Sequence, residues 1–591
     1  MRHRGPDDCG VWHAPLAAFG HRRLSIIDLT PGGRQPMADP RQRVHIAFNG
    51  EIYNFRELRA ELESGGAVFR TSSDTEVILQ AYRWWGESFV ERLGGMFALA
   101  LFDEDLQTLF LARDRAGEKP LFCWRSSEGI VFASELKALF AWPEFPRRMR
   151  TDAVEHYFAY GYVPGDLCIL EGVQKIRPGH IARYGADGGE WSDRAYWTLP
   201  KYADGPATAA ELEQELEHLL EAAVRRQLVA DVPVAILLSG GVDSSLVTAM
   251  AARARSHVKT FTVTFPSHPT HDEAPYARLV ARHFGTDHTE LEASDASPDL
   301  LARLARQYDE PMADSSMIPT YLVSAAIRPH ATVALGGDGG DELFAGYPHY
   351  TYIQRLDRVR RMVPSPLRRA VSRAAKALPP GVRGRGYLMS LARDARDGLS
   401  SINLFFDQGQ RRELLRIASP NGATSPEVYK VALAEGAHSL LDAAQRADFL
   451  SYMVDDILVK VDRASMLASL ETRAPFLDPA VIELAFGRVP DSLKADLRQR
   501  KILPRRLASR LLPKELDLRR KQGFSIPLHE WFRGGWGTMI RDVLLSADPL
   551  LFNRAAIERL IRQQERGLVN AHRLFALTLF ELWRREYHVA L

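Results

Sequence analysis

Val232-Pro233-Val234-Ala235-Ile236-Leu237-Leu238-Ser239-Gly240-Gly241-Val242-Asp243-Ser244-Ser245 is the stretch on which the reading of this chain turns. Its apolar run is short, rich in Val, Ile and Leu, and bounded by Asp231 and Ser239. Such a run reads as a strand buried on both faces of a parallel sheet. From Ser244 to Arg253 apolar residues recur at helical spacing, so the Ser-Gly-Gly turn opens a helix. Gly-Gly also ends strands in plain turns. Strand, glycine loop, acid and helix in this order, however, make an anion site, because free backbone N–H groups and the positive end of the helix dipole converge there. Phosphate is the expected guest.

The glycines let backbone approach the ligand, Ser239, Ser244 and Ser245 add hydroxyl donors, and Asp243 can hold a magnesium ion against phosphate oxygens. The Lys-Ser/Thr pair of a Walker loop is absent. The stretch instead resembles the PP-loop, Ser-Gly-Gly-x-Asp-Ser, of enzymes that split ATP into AMP and pyrophosphate.

At 591 residues the chain exceeds a single core, and about 150 residues per domain suggests two to four domains. With 46% hydrophobic and 25% charged residues and a net charge of +2, it is neither disordered nor globally basic in the manner of nucleic-acid binders. Cys9, Cys123 and Cys168 are too few and too scattered for a disulfide framework or a zinc cluster. No apolar run has membrane-spanning length and Met1-Arg2-His3-Arg4-Gly5 lacks a signal-peptide core, so a cytoplasmic enzyme with no membrane or nucleic-acid partner is expected.

Up to about residue 197, short strands such as 44–48, 96–102 and 108–112 alternate with turns, which favours a sheet-rich domain. The spacing of Val77, Ile78, Tyr82 and Trp85 predicts a helix over 75–85, capped by Ser73 or Asp74. Three polar clusters stand out: His21-Arg22-Arg23-Leu24-Ser25-Ile26-Ile27-Asp28, Asn49-Gly50-Glu51-Ile52-Tyr53-Asn54 and Ser72-Ser73-Asp74-Thr75-Glu76. Taken singly, Asn49-Gly50 after a strand reads equally well as a hairpin turn. Together with Arg4-Gly5-Pro6-Asp7 and the run from Arg113 to Leu121, these clusters resemble the glutaminase domain of class II glutamine amidotransferases over nearly all of residues 1–190.

That resemblance implies a four-layer αββα fold of the N-terminal nucleophile hydrolase type. Arg23 would clamp the glutamine α-carboxylate, with Leu24, Ser25, Ile26 and Ile27 lining the site. Asp74 and Glu51 would bind the amino-acid end, and Asn49 with Gly50 would form the oxyanion hole. The family's nucleophile is a cysteine directly after the initiator methionine, and here Met1 is followed by Arg2. The expectation is that Met1 is internal to a longer natural chain beginning Met-Cys. The 591-residue chain would then use ammonia only, and an unpaired strand edge would lower its stability.

After the PP-loop, 260–265 reads as a strand, 272–284 as a helix and 333–335 as a strand entering Gly336-Gly337-Asp338-Gly339-Gly340-Asp341-Glu342. Alternating strands and helices imply a parallel sheet with both glycine loops at strand C-termini. Beyond residue 440 the pattern turns helical. With Asp462-Arg463, Glu471-Thr472-Arg473-Ala474-Pro475-Phe476-Leu477-Asp478 and Arg519-Arg520-Lys521-Gln522-Gly523, residues 211 to about 580 resemble the synthetase domain of glutamine-hydrolysing asparagine synthetases. The expected architecture is α/β throughout: a glutaminase domain at 1–197, a linker at 198–210, and a parallel-sheet PP-loop ATP pyrophosphatase domain with a helical C-terminal part at 211–591.

By the same resemblance Leu237, Ser239, Gly240, Gly241, Ser244, Ser245, Val263, Gly336 and Gly337 would hold ATP, Asp243 and Asp341 magnesium, and Lys521 the charge on the transferring phosphoryl group. Asp338 stands where many relatives carry glutamate, and its shorter reach suits a base less well. The implied reaction is adenylation of a carboxylate, then displacement of AMP by ammonia released from glutamine. Aspartate is the implied acceptor, and a sugar acid the alternative. The stretch from Asp309 to Tyr321, which contacts aspartate in relatives, contains no arginine. A non-catalytic ATP-binding protein is the reading from another class, and a homodimer is possible. The arginine-rich segment 350–396 reads either as a patch for an anionic polymer or membrane surface or as a solvated helical insertion, the latter favoured by its four prolines.

Overall fold

The computed structural model describes residues 1–186, 189–264, 272–293, 297–379, 381–382, 384–392, 395–401, 403–420, 422–519, 528–531 and 535–591. The first third contains strands β1 (Asp8–His13), β2 (Ala18–Arg23), β3 (Met37–Ala38), β4 (Val44–Ile52), β5 (Gly95–Asp103), β6 (Thr108–Arg113), β7 (Phe122–Arg125), β8 (Ile130–Ala133), β9 (Val173–Lys175), β10 (His180–Gly185) and β11 (Trp191–Ala195). Six of them form one antiparallel sheet in the order β11-β10-β6-β5-β4-β3.

Alternation along these strands sorts side chains between two cores. Ile46, Phe48, Phe97 and Leu99 pack beneath the helices Phe55–Ser64 and Asp74–Trp85. Ala98, Ala100 and Phe102 face a second layer carrying Phe19 of β2 and Cys123 of β7. The helix Thr151–Tyr160 then covers that layer, with Tyr157 and Phe158 against Phe122 and Trp124. These are the four expected layers. The helix predicted over 75–85 begins at Asp74, with the Ser73 hydroxyl accepting from Thr75 N–H at 3.1 Å. Asn49-Gly50 is no hairpin turn: both residues lie inside β4, paired with Ala98 and Phe97 of β5.

The second sheet comprises β12 (Val234–Leu237), β13 (Lys259–Thr264), β14 (Asp287–Glu292), β15 (Val333–Leu335) and β16 (Glu471–Arg473), all parallel, in the order β14-β13-β12-β15-β16. From β12 the chain goes first to one side and later returns to the other. The crevice of such a sheet opens where the order reverses, at the strand C-termini. Ile236 of β12 is in register with Leu335 of β15, so the loops after them emerge side by side. The helices Ala209–Gln227 and Val242–Ala254 cover one face and Met317–Ile327 the other. Among the described residues no helix is long and apolar enough to cross a membrane.

Buried charge joins the two sheets. Arg473 of β16 is 1% exposed. Its Nε lies 2.9 Å from Glu471 and its Nη2 3.5 Å from Glu51 of β4, while Nη1 donates to the carbonyls of Gln227 and Val229 at 2.7 and 2.8 Å. Arg4 grips Asp462 with two bonds, of 2.7 and 2.9 Å. Asp231, which bounds the organising strand, donates its N–H to Ile26 and accepts that of Asp28, both across the seam.

Breaking a buried pair from one side leaves the other charge uncompensated. Arg473→Met is therefore expected to cost about 3–5 kcal/mol in chemical denaturation, with Glu51→Gln in the same chain recovering part of the loss. A cost near that of an exposed pair, under about 1 kcal/mol, would show that the seam does not depend on this guanidinium.

Candidate functional sites

The first cavity, ≈ 380 Å³, opens between β2, β4 and the start of the helix Asp74–Trp85. Met1, Arg23, Leu24, Ile26, Ile27, Asn49, Gly50, Glu51 and Asp74 all line it, so the structure brings together most of the residues singled out for glutamine. Gly50 is required there. Its φ is +147°, and a Cβ would meet the Met96 carbonyl at 2.0 Å. Asn49 Nδ2 has only a 3.4 Å contact with Ser134 Oγ, which leaves it turned toward the cavity lining.

Ser25 is a correction: it does not line the cavity, and its N–H is turned instead to Asp7 at 2.8 Å. Arg23 is partly committed as well. Its Nη2 donates to the carbonyls of Ile27 and Asp28, and its Nη1 to Thr30, which pins the 27–30 loop as a wall. None of the three cysteines lines the cavity: Cys9 is exposed on β1, while Cys123 and Cys168 are buried elsewhere.

The lining of this cavity mixes charge, with Arg4, Arg22, Arg23 and Lys119 set against Glu51, Asp74 and Glu471. Burial pushes the Asp74 carboxyl up to about 6, against the hydrogen bonds it accepts from Ile52 and Thr75 N–H. Burial also holds Glu51 well above the usual carboxylate range, and Asp74 and Glu471 push the same way. An ammonium group entering here would relieve that repulsion.

The second cavity, ≈ 340 Å³, sits in the crevice at the C-termini of β12 and β15. Leu237, Ser239, Gly240, Gly241, Asp243, Ser244, Val263, Gly336, Gly337, Asp338 and Asp341 line it. The two glycine loops interlock: a Cβ on Gly337 would meet Asp243 Cβ at 2.8 Å, and one on Gly340 would meet Asp243 Cγ at 2.7 Å. Inside the first loop the Ser239 and Ser244 hydroxyls are 3.0 Å apart, and Gly241 N–H points to Ser239 Oγ at 3.3 Å. Ser245 is the second correction. It is wholly buried on the inner side of the helix Val242–Ala254 and lines no part of the cavity, because consecutive helical residues point in different directions.

Lys501 was not singled out from the sequence. Its ammonium lies 2.8 Å from Asp341 and also bonds Asp243, so it bridges the two glycine loops. Burial alone would lower its pKa, but the two carboxylates raise it, so it is held as a cation. Gly346 makes room for it, since a Cβ there would meet Lys501 Cε at 2.3 Å. Lys501 and Arg505, which line the cavity, sit within the basic run 498–510, whose other members Arg506 and Arg510 pair with Glu213. In sequence the run reads as flanking the ATP site or solvent rather than binding nucleic acid, with no aromatic residue between its arginines.

Lys460 was missed for another reason. It follows a π-helical segment, Asp448–Ile457, whose register no periodicity announces. Lys460 lines the cavity and pairs with Asp314 at 3.1 Å, inside the 309–321 stretch that has no arginine. Asp338 is raised above the usual range by burial, an effect that Lys460 opposes and that Asp243 and Asp341 reinforce. Lys521 lies outside the described residues.

The cavities share a wall. Glu471 faces the first and the next residue, Thr472, the second, as alternation along β16 requires. No metal-binding group of three or more His, Cys, Asp or Glu exists among the described residues. The pair Asp243 and Asp341 still fits magnesium, which takes one or two carboxylates and completes its shell from phosphates and water.

Two family models divide the chain along this line: "Glutamine amidotransferase domain" matches residues 1–197 and "Asparagine synthase" residues 215–585. The asparagine synthetase [glutamine-hydrolyzing] 1 of Bacillus subtilis is 32% identical over 98% of this chain and 91% of its own length. A putative asparagine synthetase [glutamine-hydrolyzing] of Mycobacterium bovis is 34% identical over 99% of this chain and 92% of its own. With both cavities in place and similarity running the length of the chain, this protein belongs to the glutamine-hydrolysing asparagine synthetase family of ATP-dependent amide-forming ligases.

Proposed function

We propose that the chain converts aspartate to asparagine, with glutamine bound in the first cavity and ATP with magnesium in the second. The observation that carries this reading is the convergence of Asp243, Asp341 and Lys501 between two interlocked glycine loops, one residue away through β16 from the cavity that gathers Arg23, Asn49, Gly50 and Asp74.

In the first cavity Asp74 pairs the α-ammonium of glutamine, and the N–H groups of Arg23 not given to Ile27, Asp28 and Thr30 face its α-carboxylate. Asn49 and the Gly50 N–H are the donors for charge developing on the amide oxygen. In the second, Ser239, Ser244 and the N–H groups of the first loop receive phosphate at the N-terminus of the helix Val242–Ala254. Asp243 and Asp341 would hold magnesium, which neutralises pyrophosphate oxygens when bound. Lys501 is the chain's own cation at the same place. Lys460, held by Asp314, faces the acceptor carboxylate, and Asp338 is the group within reach of the proton lost as ammonia becomes an amide.

Lys501→Met is expected to lower aspartate-dependent pyrophosphate release by about 10²-fold or more and to lower the thermal midpoint as well, because Asp243 and Asp341 lose their buried partner; Lys501→Arg, which keeps the charge, should recover most of the midpoint. Unchanged release would remove Lys501 from phosphate chemistry. Aspartate without effect on pyrophosphate release, where another carboxylate is effective, would reassign the acceptor.

The Asp74 carboxyl sets a pH dependence. Glutamine binding measured by calorimetry should strengthen as pH rises through about 6, where the carboxyl ionises to face the ammonium, and level off above it. The same shift acts oppositely on the ligand-free fold. Because the folded state holds this proton more tightly than the unfolded chain, its contribution to stability is present below 3.8 and is lost as pH rises through about 6. Asp74→Asn should flatten both curves, and a variant whose binding still rises through that window would place the titrating group elsewhere.

A further inference from the structure

Among the described residues, the arginine-rich segment takes no part in either cavity. Residues 350–396 contain eleven Arg and one Lys against two Asp, an excess larger than the net +2 of the whole chain, so the remainder of the chain is net acidic. Of the four prolines, two stand where they break no helix. Pro364 and Pro366 stand at the start of the helix Ser365–Ala377, where a missing N–H costs nothing, and this helix follows Pro348–Met362 after a two-residue link.

The inner side of Ser365–Ala377 is tied down: Ser372 Oγ donates to the Met389 carbonyl at 3.0 Å, and Ala375 is buried. The outer side is not. Arg358, Arg369 and Arg373 are exposed, and among the described residues no carboxylate lies within 4.0 Å of them; Arg361 alone on this side pairs, with Asp357. Elsewhere the exposed arginines of helices commonly pair, as Arg253, Arg506 and Arg510 do with Glu213 and Glu217.

Large apolar side chains are exposed among these cations. Val359, Met362, Leu367, Leu378, Tyr387 and Leu388 are six of the seventeen large apolar residues exposed in the described chain, gathered within thirty residues, with Met362 at 67% and Leu367 at 56%. Unneutralised cations interleaved with solitary apolar side chains suit a lipid headgroup layer. There the apolar groups reach the acyl boundary, and the long arginine stems keep their charge among the phosphates.

We propose that the outer face of the helices Pro348–Met362 and Ser365–Ala377 docks on anionic lipid bilayers, holding the enzyme peripherally with both cavities free. None of Arg358, Met362, Leu367, Arg369 and Arg373 lines either cavity, so docking and amide formation are separable.

The test is co-sedimentation of the full chain with phosphatidylcholine vesicles, with and without roughly one phosphatidylglycerol in three lipids, at low and high salt. At least about tenfold more protein should pellet with the anionic vesicles, and the difference should vanish at about 0.5 M salt. Arg369→Glu/Arg373→Glu should lose about tenfold in bound fraction and Met362→Ser/Leu367→Ser about threefold, each with unchanged pyrophosphate release. Equal binding to both vesicle types, binding to neither, or full binding by Arg369→Glu/Arg373→Glu overturns the proposal. Binding to polyglutamate without binding to vesicles overturns it too, in favour of an acidic protein partner.

Discussion

The buried guanidinium of Arg473 is the constraint on which both cavities depend. Its side chain neutralises Glu51 and Glu471 beside the glutamine cavity and ties down the carbonyls of Gln227 and Val229 ahead of the organising strand. Its own carbonyl accepts the N–H of Gly336, the first residue of the second glycine loop. One residue thus positions the floor of one site and the edge of the other. A lysine could supply the charge but not three directions of hydrogen bonding from a planar group.

Around that anchor the charges are divided by task. In the first cavity Asp74 and Glu51 are pushed up by burial, so that a cation arriving beside them is favoured. In the second cavity the Lys501 ammonium sits between Asp243 and Asp341 and is itself held as a cation by them. The first arrangement waits for a cationic group from the substrate, and the second supplies its own. Buried carboxylates without such partners would be costly in both places.

Much of the framework was readable because it rests on local rules. The strand within Val232–Leu238, the glycine turn and the helix after it follow from apolar run length and turn chemistry, and Ser73 caps its helix as its side chain allows. Where sequence reasoning went astray, a non-local contact decided. Asn49-Gly50 has the composition of a turn but is pulled into β4 by pairing with β5. Ser25 and Ser245 neighbour true lining residues, yet Ser25 is held by Asp7 and Ser245 is rotated into the core. Lys460 is placed by a π-helical stretch that shifts the register behind it.

By itself the sequence determined the two glycine-acid loops, the strands that carry them and the polar clusters of the first domain, because strand length, glycine freedom and helix capping are settled within a few residues of chain. Only the tertiary structure decided that Lys501, some 260 residues from Asp243, bridges the two loops, and that Glu471 and Thr472 face different cavities. It also decided that Arg358, Arg369 and Arg373 are exposed with no carboxylate beside them, while Arg506 and Arg510 turn to Glu213 and Glu217. An ion pair across hundreds of residues has no local signature, since its energy depends on burial and on the partner's position, and both exist only once the chain has folded.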